Sequence, residues 1–362
     1  MKTMHFLALA LSAAAFSAMA DEWFVDAKRP DDSGDGSSVA TAKKTLSGAM
    51  KISSLKDGDV VTVLPGEYCD GTTGDGWSLP NRLYVTKSIT VRSRDGAAAT
   101  HIVGKFSAAT AKGLGSGGVR CVYVNADNVV VQGFTLRDGA TLNNSLDHAS
   151  CEGGGVLFRK SSSYLVDCVI SNCVAGSGAA AACDNDAFAN SNALVRTMLF
   201  SNNADKYDAV RSVALYHCIA SGHNDTTYPP FYGSGNIINC TLFDNYSHHL
   251  FDGGNPAICN TIIGKYCYTH SASSGAAFSN CVSSISDNTN LKTDSNFING
   301  TRSASAWQMV APSFGDYRLV ASCAAAAAGS ADHMALIPDA YRWTDIAGMD
   351  FSGAEAICAG GR

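Results

Sequence analysis

The sequence predicts an all-β chain, a right-handed parallel β-helix with coils of about 21 residues and a short N-terminal capping helix. Three observations carry that expectation. A short segment recurs at near-constant spacing, its residues alternate apolar and polar, and the stretches between copies are rich in Gly, Asn and Ser.

The recurring segments include Gly133-Phe134-Thr135-Leu136, Asp167-Cys168-Val169-Ile170, Arg196-Thr197-Met198-Leu199, His217-Cys218-Ile219-Ala220, Asn239-Cys240-Thr241-Leu242, Cys259-Asn260-Thr261-Ile262 and Asn280-Cys281-Val282-Ser283. Measured at the second residue of each, the steps are 34, 29, 21, 22, 20 and 21, so the two long steps leave room for inserted loops. A strand-sized unit at that period suits a solenoid whose coils stack along one axis. Within Ile238-Asn239-Cys240-Thr241-Leu242, alternation predicts Ile238, Cys240 and Leu242 facing inward. A leucine-rich horseshoe lacks support because its Leu-x-x-Leu-x-Leu pattern is missing, and helical repeats need longer units with fewer helix-breaking residues.

Stacking also predicts a use for the 13 cysteines. Cys168, Cys218, Cys240 and Cys281 fall in one interior column, interrupted at Thr197 and Asn260, where Cys serves as a small buried hydrophobe. Cys151, Cys173, Cys183 and Cys267 lie outside that column and are the better bridge partners. No C-x-x-C spacing marks a zinc or redox site.

Three segments are expected: a signal peptide over 1–20, the β-helix with its cap over 21–320, and a C-terminal capping or tail segment over 321–362. Phe6 to Ala18 is almost wholly apolar and Ala18-Met19-Ala20 is a small-x-small cleavage pattern, which puts the mature start at Asp21. The apolar run is too short to span a bilayer, and no later run reaches about 20 apolar residues, so no integral membrane segment is expected after cleavage. The chain is then secreted, periplasmic or at the cell surface. A net charge of −6 without a Lys/Arg stripe argues against nucleic acid and anionic membrane as partners. Thirty-five Gly against 8 Pro indicate many turns without low-complexity disorder.

Trp23-Phe24-Val25-Asp26, Asp31-Asp32-Ser33-Gly34-Asp35-Gly36, Ala42-Lys43-Lys44-Thr45-Leu46 and the run from Gly58 to Tyr68 together resemble the opening of secreted bacterial right-handed β-helix proteins of the pectate-lyase-like superfamily. The later Asn-Cys-Thr-Leu rungs extend the likeness from residue 22 to about 320. The resemblance implies that the first strand and a helix near Thr41 to Leu55 cap the open end of the stack. Near the C-terminus Asp316-Tyr317-Arg318-Leu319 and Thr344-Asp345-Ile346-Ala347-Gly348 resemble the same proteins. The usual closing Asp-Ile-Gly-Ala-Tyr-Glu motif is not kept in Glu355-Ala356-Ile357-Cys358-Ala359-Gly360-Gly361, and no C-terminal barrel, sorting signal or anchor is visible.

That superfamily contains lyases and hydrolases of acidic polysaccharides as well as adhesin-like members, so a function must be read from a site. A lyase needs a base beside a uronate carboxylate and a positive group for the developing charge; a glycosidase needs two carboxylates across one bond. The turns after successive strands supply the candidates, Asp205-Lys206-Tyr207-Asp208, His223-Asn224-Asp225, Asn245-Tyr246-Ser247-His248-His249 and Lys265-Tyr266-Cys267-Tyr268-Thr269-His270. They form a polar ridge. For catalysis the candidates are His223 as base, Asp225 as its orienting carboxylate, and Lys206 or Arg211 to neutralise a substrate carboxylate. Tyr207, Asn245, Tyr246, His248, Tyr266, Tyr268 and His270 suit the apolar faces and hydroxyls of sugars. His217 is expected to point outward and border the same groove.

No cofactor is fixed by the sequence. Ca²⁺ is the candidate, with its ligands unassigned, since Asp31 to Gly36 has a calcium-loop look but carries Ala42 where an EF-hand needs Glu and reads better as a turn into the cap. Asp184 and Asp186, in the inserted loop of the 29-residue coil, are a second pair of carboxylates and also ordinary turn residues. The leading expectation is a protein that binds polysaccharide or a cell-surface glycan along the ridge. The alternatives are a polysaccharide lyase or glycoside hydrolase, and a structural envelope or adhesin-like protein. The oligomeric state is open.

Overall fold

The computed structural model describes residues 20–74, 79–143, 148–204, 208–223, 228–233, 235–245, 250–263, 277–279, 281–283, 297–298, 301–302, 309–311, 316–319 and 331–342. Three parallel sheets run along one solenoid, and from Val60–Val63 to Phe251–Asp252 the coils contribute a strand to sheet A, then to sheet B, then to sheet C. Sheet A runs from Glu22–Val25 to Phe297–Ile298, sheet B from Gly66–Tyr68 to Thr301–Arg302, and sheet C from Asn81–Val85 to Phe251–Asp252. The fold is a right-handed parallel β-helix. Among the described residues no helix is long and apolar enough to cross a membrane.

Strict register makes the core. In sheet A, Val91, Val131, Leu165, Leu194, Leu215, Ile237 and Ile258 stack in neighbouring coils, all but fully buried. Each rung presents one branched side chain to its neighbours above and below, so apolar area is removed from water at every step at roughly 25 cal/mol per Å². The N-terminal cap is shorter than expected: a 3₁₀ turn at Val39–Thr41 and one helical turn, Leu46–Ala49. Thr45 caps that turn through Gly48 N–H, and Asp32 accepts from both the backbone N–H and the hydroxyl of Thr45. Asp31 and Asp35 accept from Ser33, Ser37 and Thr41, so the acid-rich segment is occupied by turn and capping bonds.

The recurring sequence segment is a corner between two sheets, which corrects two expectations. Asp167, Arg196, His217, Asn239 and Asn260 all have φ between 46° and 56°, a left-handed residue that turns the chain from sheet A into sheet B. Asn, Asp and His tolerate this conformation better than most side chains. Because the turn resets alternation, Ile237 faces the core and Ile238 faces outward, whereas Cys240 and Leu242 point inward. Register also puts Asn260 beside Asn239, so the interior column reads Cys168, Thr197, Cys218, Cys240, Thr261, Cys281, with Thr261 as its second hydroxyl. One bonding scheme explains the residue choice. Each thiol or hydroxyl donates to the carbonyl two residues earlier, at 3.1 Å for Cys168 and 2.9 Å for Thr261, and Cys218 N–H meets Cys240 Sγ at 3.4 Å.

From Val166 onward the outer face of sheet A is apolar, whereas Thr62, Arg92 and Gln132 precede it in the same register, and residues 331–342 lie across the apolar part. Met334 and Ile337 are buried against Val166, Val195, Ala214, Tyr216, Ile238 and Cys259. Tyr341 packs edge-on to Tyr164 and sits 5.6 Å beneath the Arg196 guanidinium. This segment covers a flank of the solenoid. Ile337→Asp places a charge in that contact and is expected to cost roughly 2–4 kcal/mol, read as a lower Tm together with increased binding of an apolar dye.

Candidate functional site

The sheet B to sheet C corner decides where the expected ridge residues go. Asp138, Asn172, Ser201 and Asp244 take φ of 51° to 58° and Gly222 takes 72°. The residue after each points inward, giving the column Gly139, Cys173, Asn202, His223, Asn245. Cys173 N–H donates to Asn202 Oδ1 at 3.0 Å, Asn202 N–H to His223 Nδ1 at 3.1 Å, and His223 N–H to Asn245 Oδ1 at 3.2 Å. His223 and Asn245 are therefore rungs of an internal polar ladder and not faces of an open ridge.

His223 is 2% exposed with Phe231 edge-on to its ring, and burial pushes its imidazole down to about 4. His217 also differs from expectation. It lies on the outer side of its corner yet is buried, with Asn239 Nδ2 donating to its Nδ1 at 2.7 Å. Burial, with Arg196 nearby, lowers it to about 4, while backbone hydrogen bonds to Arg342 and Tyr341 pull the other way. Lys206, Tyr207, Asp225, Tyr246, His248, Tyr266, Tyr268 and His270 lie outside the described residues.

Arg211 leads elsewhere, to the outer face of sheet C. Register aligns Tyr84, Tyr123, Leu157, Ala182, Arg211, Tyr232 and Asp252 on that face. Its first half is closed: the inserted loop of the 34-residue coil, with a helical turn at His148–Cys151, packs Ala149 over Tyr123, Leu157 and Ala182. Arg120 fastens the loop. Its side chain is fully buried, donating to Gly153 O at 2.8 Å, Asn81 Oδ1 at 2.9 Å, Glu152 O at 2.7 Å and Ala149 O.

Where the loop ends, the face becomes polar and reaches solvent. The Arg211 guanidinium stands 4.8 Å over the Tyr232 ring, and Asp252 beyond it is exposed. Two buried carboxylates back Arg211: Glu152 Oε1 is 3.4 Å from its Nε and Asp208 Oδ2 is 3.8 Å from its Nη1. Gly178 N–H donates to Asp208 at 2.6 Å and Ser177 Oγ approaches both its oxygens. Desolvation nevertheless raises Asp208 to about 7, since Arg211 and these bonds only partly offset burial and Glu152 adds like charge. The arrangement combines an aromatic face, a partly exposed guanidinium and a carboxyl group able to hold a proton near neutrality. Asp184 and Asp186 are engaged otherwise, with Arg159 at 3.0 Å and with the Ser212 hydroxyl. Among the described residues no group of three or more His, Cys, Asp or Glu is placed to hold a metal ion.

Sequence reasoning placed Asp208 in the ridge without a role and missed Glu152 and Tyr232 at this site. Asp208 and Arg211 are three residues apart, a legible signal, but Glu152 and Tyr232 meet them only through coil stacking.

The fold and this face define the chain as a parallel β-helix with a polar half-covered sheet. Solved structures similar to it include a rhamnogalacturonan lyase (14% identity, 73% of this chain and 74% of that one, TM-score 0.47) and pectate lyase Pel9A (12%, 79% and 78%, 0.48). A pectin methylesterase from carrot is also similar (9%, 74% and 84%, 0.39). No protein-family model and no curated protein sequence matches the chain.

Proposed function

We propose that the chain is an exported β-helix protein that binds polysaccharide or a cell-surface glycan across the outer face of sheet C, with Arg211 and Tyr232 as the contact. The observation that carries this reading is the guanidinium stacked 4.8 Å over Tyr232 at the place where the covering loop stops. A tyrosine face suits the C–H face of a sugar ring, and a guanidinium suits hydroxyls or a carboxylate. Removal of residues 1–20 is part of the proposal and is checked by the N-terminal sequence of the exported protein, expected to begin at Asp21.

Affinity gels carrying acidic and neutral polysaccharides test the binding. Retention of the wild type on at least one polymer is expected, with Tyr232→Ala and Arg211→Ala each weakening it about tenfold, equivalent to about 1.4 kcal/mol. Unchanged retention in both variants removes the site. A second reading, catalysis on the same polymer as a lyase or glycoside hydrolase, is favoured by one observation, the Asp208 carboxyl raised to about 7. Ultraviolet absorbance from an unsaturated sugar, or released reducing ends, lost in Asp208→Asn would support it over binding alone.

A further inference from the structure

We propose that the outer face of sheet C takes a neutral glycan, one with hydroxyls and no uronate carboxylate, a ligand class that rests on the glycan-binding reading of that face and narrows it. What decides the class is which charges a ligand can reach. Arg211 is 22% exposed, and its guanidinium is already engaged from behind. Glu152 Oε1 lies 3.4 Å from its Nε, Asp208 Oδ2 3.8 Å from its Nη1, and Nη1 donates to Ser177 Oγ at 3.5 Å. The two carboxylates are 3% and 1% exposed, so neither can swing into water and surrender the cation to an incoming anion. Burial raises Asp208 to about 7, which leaves Glu152 as the standing partner near neutrality. A uronate carboxylate docking on Arg211 would meet a cation whose field is offset, and would bring like charge towards Glu152.

Two further cations along sheet C are committed elsewhere. Arg120 is sealed beneath the inserted loop and donates to Gly153 O, Glu152 O, Ala149 O and Asn81 Oδ1, while Arg159 holds Asp184 at 3.0 Å.

On the open side the polarity reverses. Arg211, Tyr232 and Asp252 follow one another in register, on rungs about 4.8 Å apart, so a donor, an aromatic ring and an exposed acceptor stand in a row. Asp252 Oδ1 accepts from Gly253 N–H at 2.8 Å, and a carboxylate has lone pairs for several more donors. A sugar hydroxyl both accepts and donates, so a neutral ring on Tyr232 can take a bond from Arg211 and give one to Asp252. A carboxylate only accepts. A polyuronate carries one on every residue, and so sets like charge against Asp252.

The test pairs polygalacturonate and alginate with their own carboxyl-reduced forms, in which each carboxylate has become a hydroxymethyl group, and adds neutral galactan and β-glucan. Affinity electrophoresis of the exported chain reads retention. At least one neutral polymer is expected to hold the wild type about tenfold more strongly than either polyuronate does, and high salt should leave that retention in place. Asp252→Lys, at an exposed position, should raise polyuronate retention about tenfold and make it salt-sensitive, and Glu152→Gln, which frees the guanidinium, should act in the same direction. Stronger retention by a polyuronate than by its reduced form overturns the neutral class and leaves the glycan reading standing. Retention by no polymer overturns both. Polyuronate retention unchanged in both variants also overturns the neutral class, since charge would then not be what excludes the acidic polymers.

Discussion

Arg120→Met is expected to lose about 3–5 kcal/mol of stability and to free the loop over sheet C, because it deletes the donors that hold buried acceptors together. Gly153 O, Glu152 O, Ala149 O and Asn81 Oδ1 all accept from this guanidinium. A methionine fills comparable space but donates nothing, so those acceptors are left to find water that the packed site does not admit. The loop carries Glu152, which backs Arg211, and Ala149, which covers Tyr123 and Leu157. The variant should therefore show a lower denaturation midpoint, faster proteolysis between residues 141 and 155, and weaker glycan retention. A wild-type midpoint with an intact loop would mean that packing alone holds the insertion.

The second large effect is loss of stability in acid, centred on His217 and His223. Both imidazoles are lowered from 6.5 to about 4, so the folded state holds them neutral while the unfolded chain takes up protons below pH 6.5. Their contribution is complete above pH 6.5 and is lost as pH falls through about 4, on the order of 3 kcal/mol each. Asp208 has the opposite sign. Its carboxyl is raised from 3.8 to about 7, so its contribution is complete below pH 3.8 and is lost as pH rises through about 7, on the order of 4 kcal/mol.

The net change between pH 7 and 4 is thus a loss of about 2–3 kcal/mol, two histidines against one aspartate. His223→Asn should abolish most of it, since the neighbouring rungs Asn202 and Asn245 already make the required ladder bonds with an amide. Asp208→Asn should deepen the acid loss. Chemical denaturation at pH 4, 5.5 and 7 measures all three proteins, and parallel pH profiles for wild type and His223→Asn would place the titration elsewhere.

Period and composition were enough to specify the solenoid. Spacings of 21 and 22 residues between Thr197, Cys218 and Cys240 leave little freedom, because parallel coils must stack in register for their branched side chains to share one core. The long steps correctly marked insertions, seen at His148–Cys151 and Asp186–Phe188. Alternation alone misplaced Ile238, since one left-handed residue at Asn239 turns the chain into the next sheet and a pattern of apolar residues carries no sign of φ. The same effect turned His223 and Asn245 inward, where identical polar letters could have served an exposed ridge.

The sequence by itself determined the repeat, the stacking direction of its apolar residues and the existence of the cysteine and threonine column, because each depends on residues a fixed distance apart along the chain. The tertiary structure alone decided which polar groups meet. Glu152, Ser177, Asp208, Arg211 and Tyr232 come from four coils, and their proximity rests on a loop pinned by Arg120 and on the register of sheet C. Spacing between them follows loop lengths that differ from coil to coil, whereas contact follows a constant rise between coils, and linear sequence records the first without revealing the second.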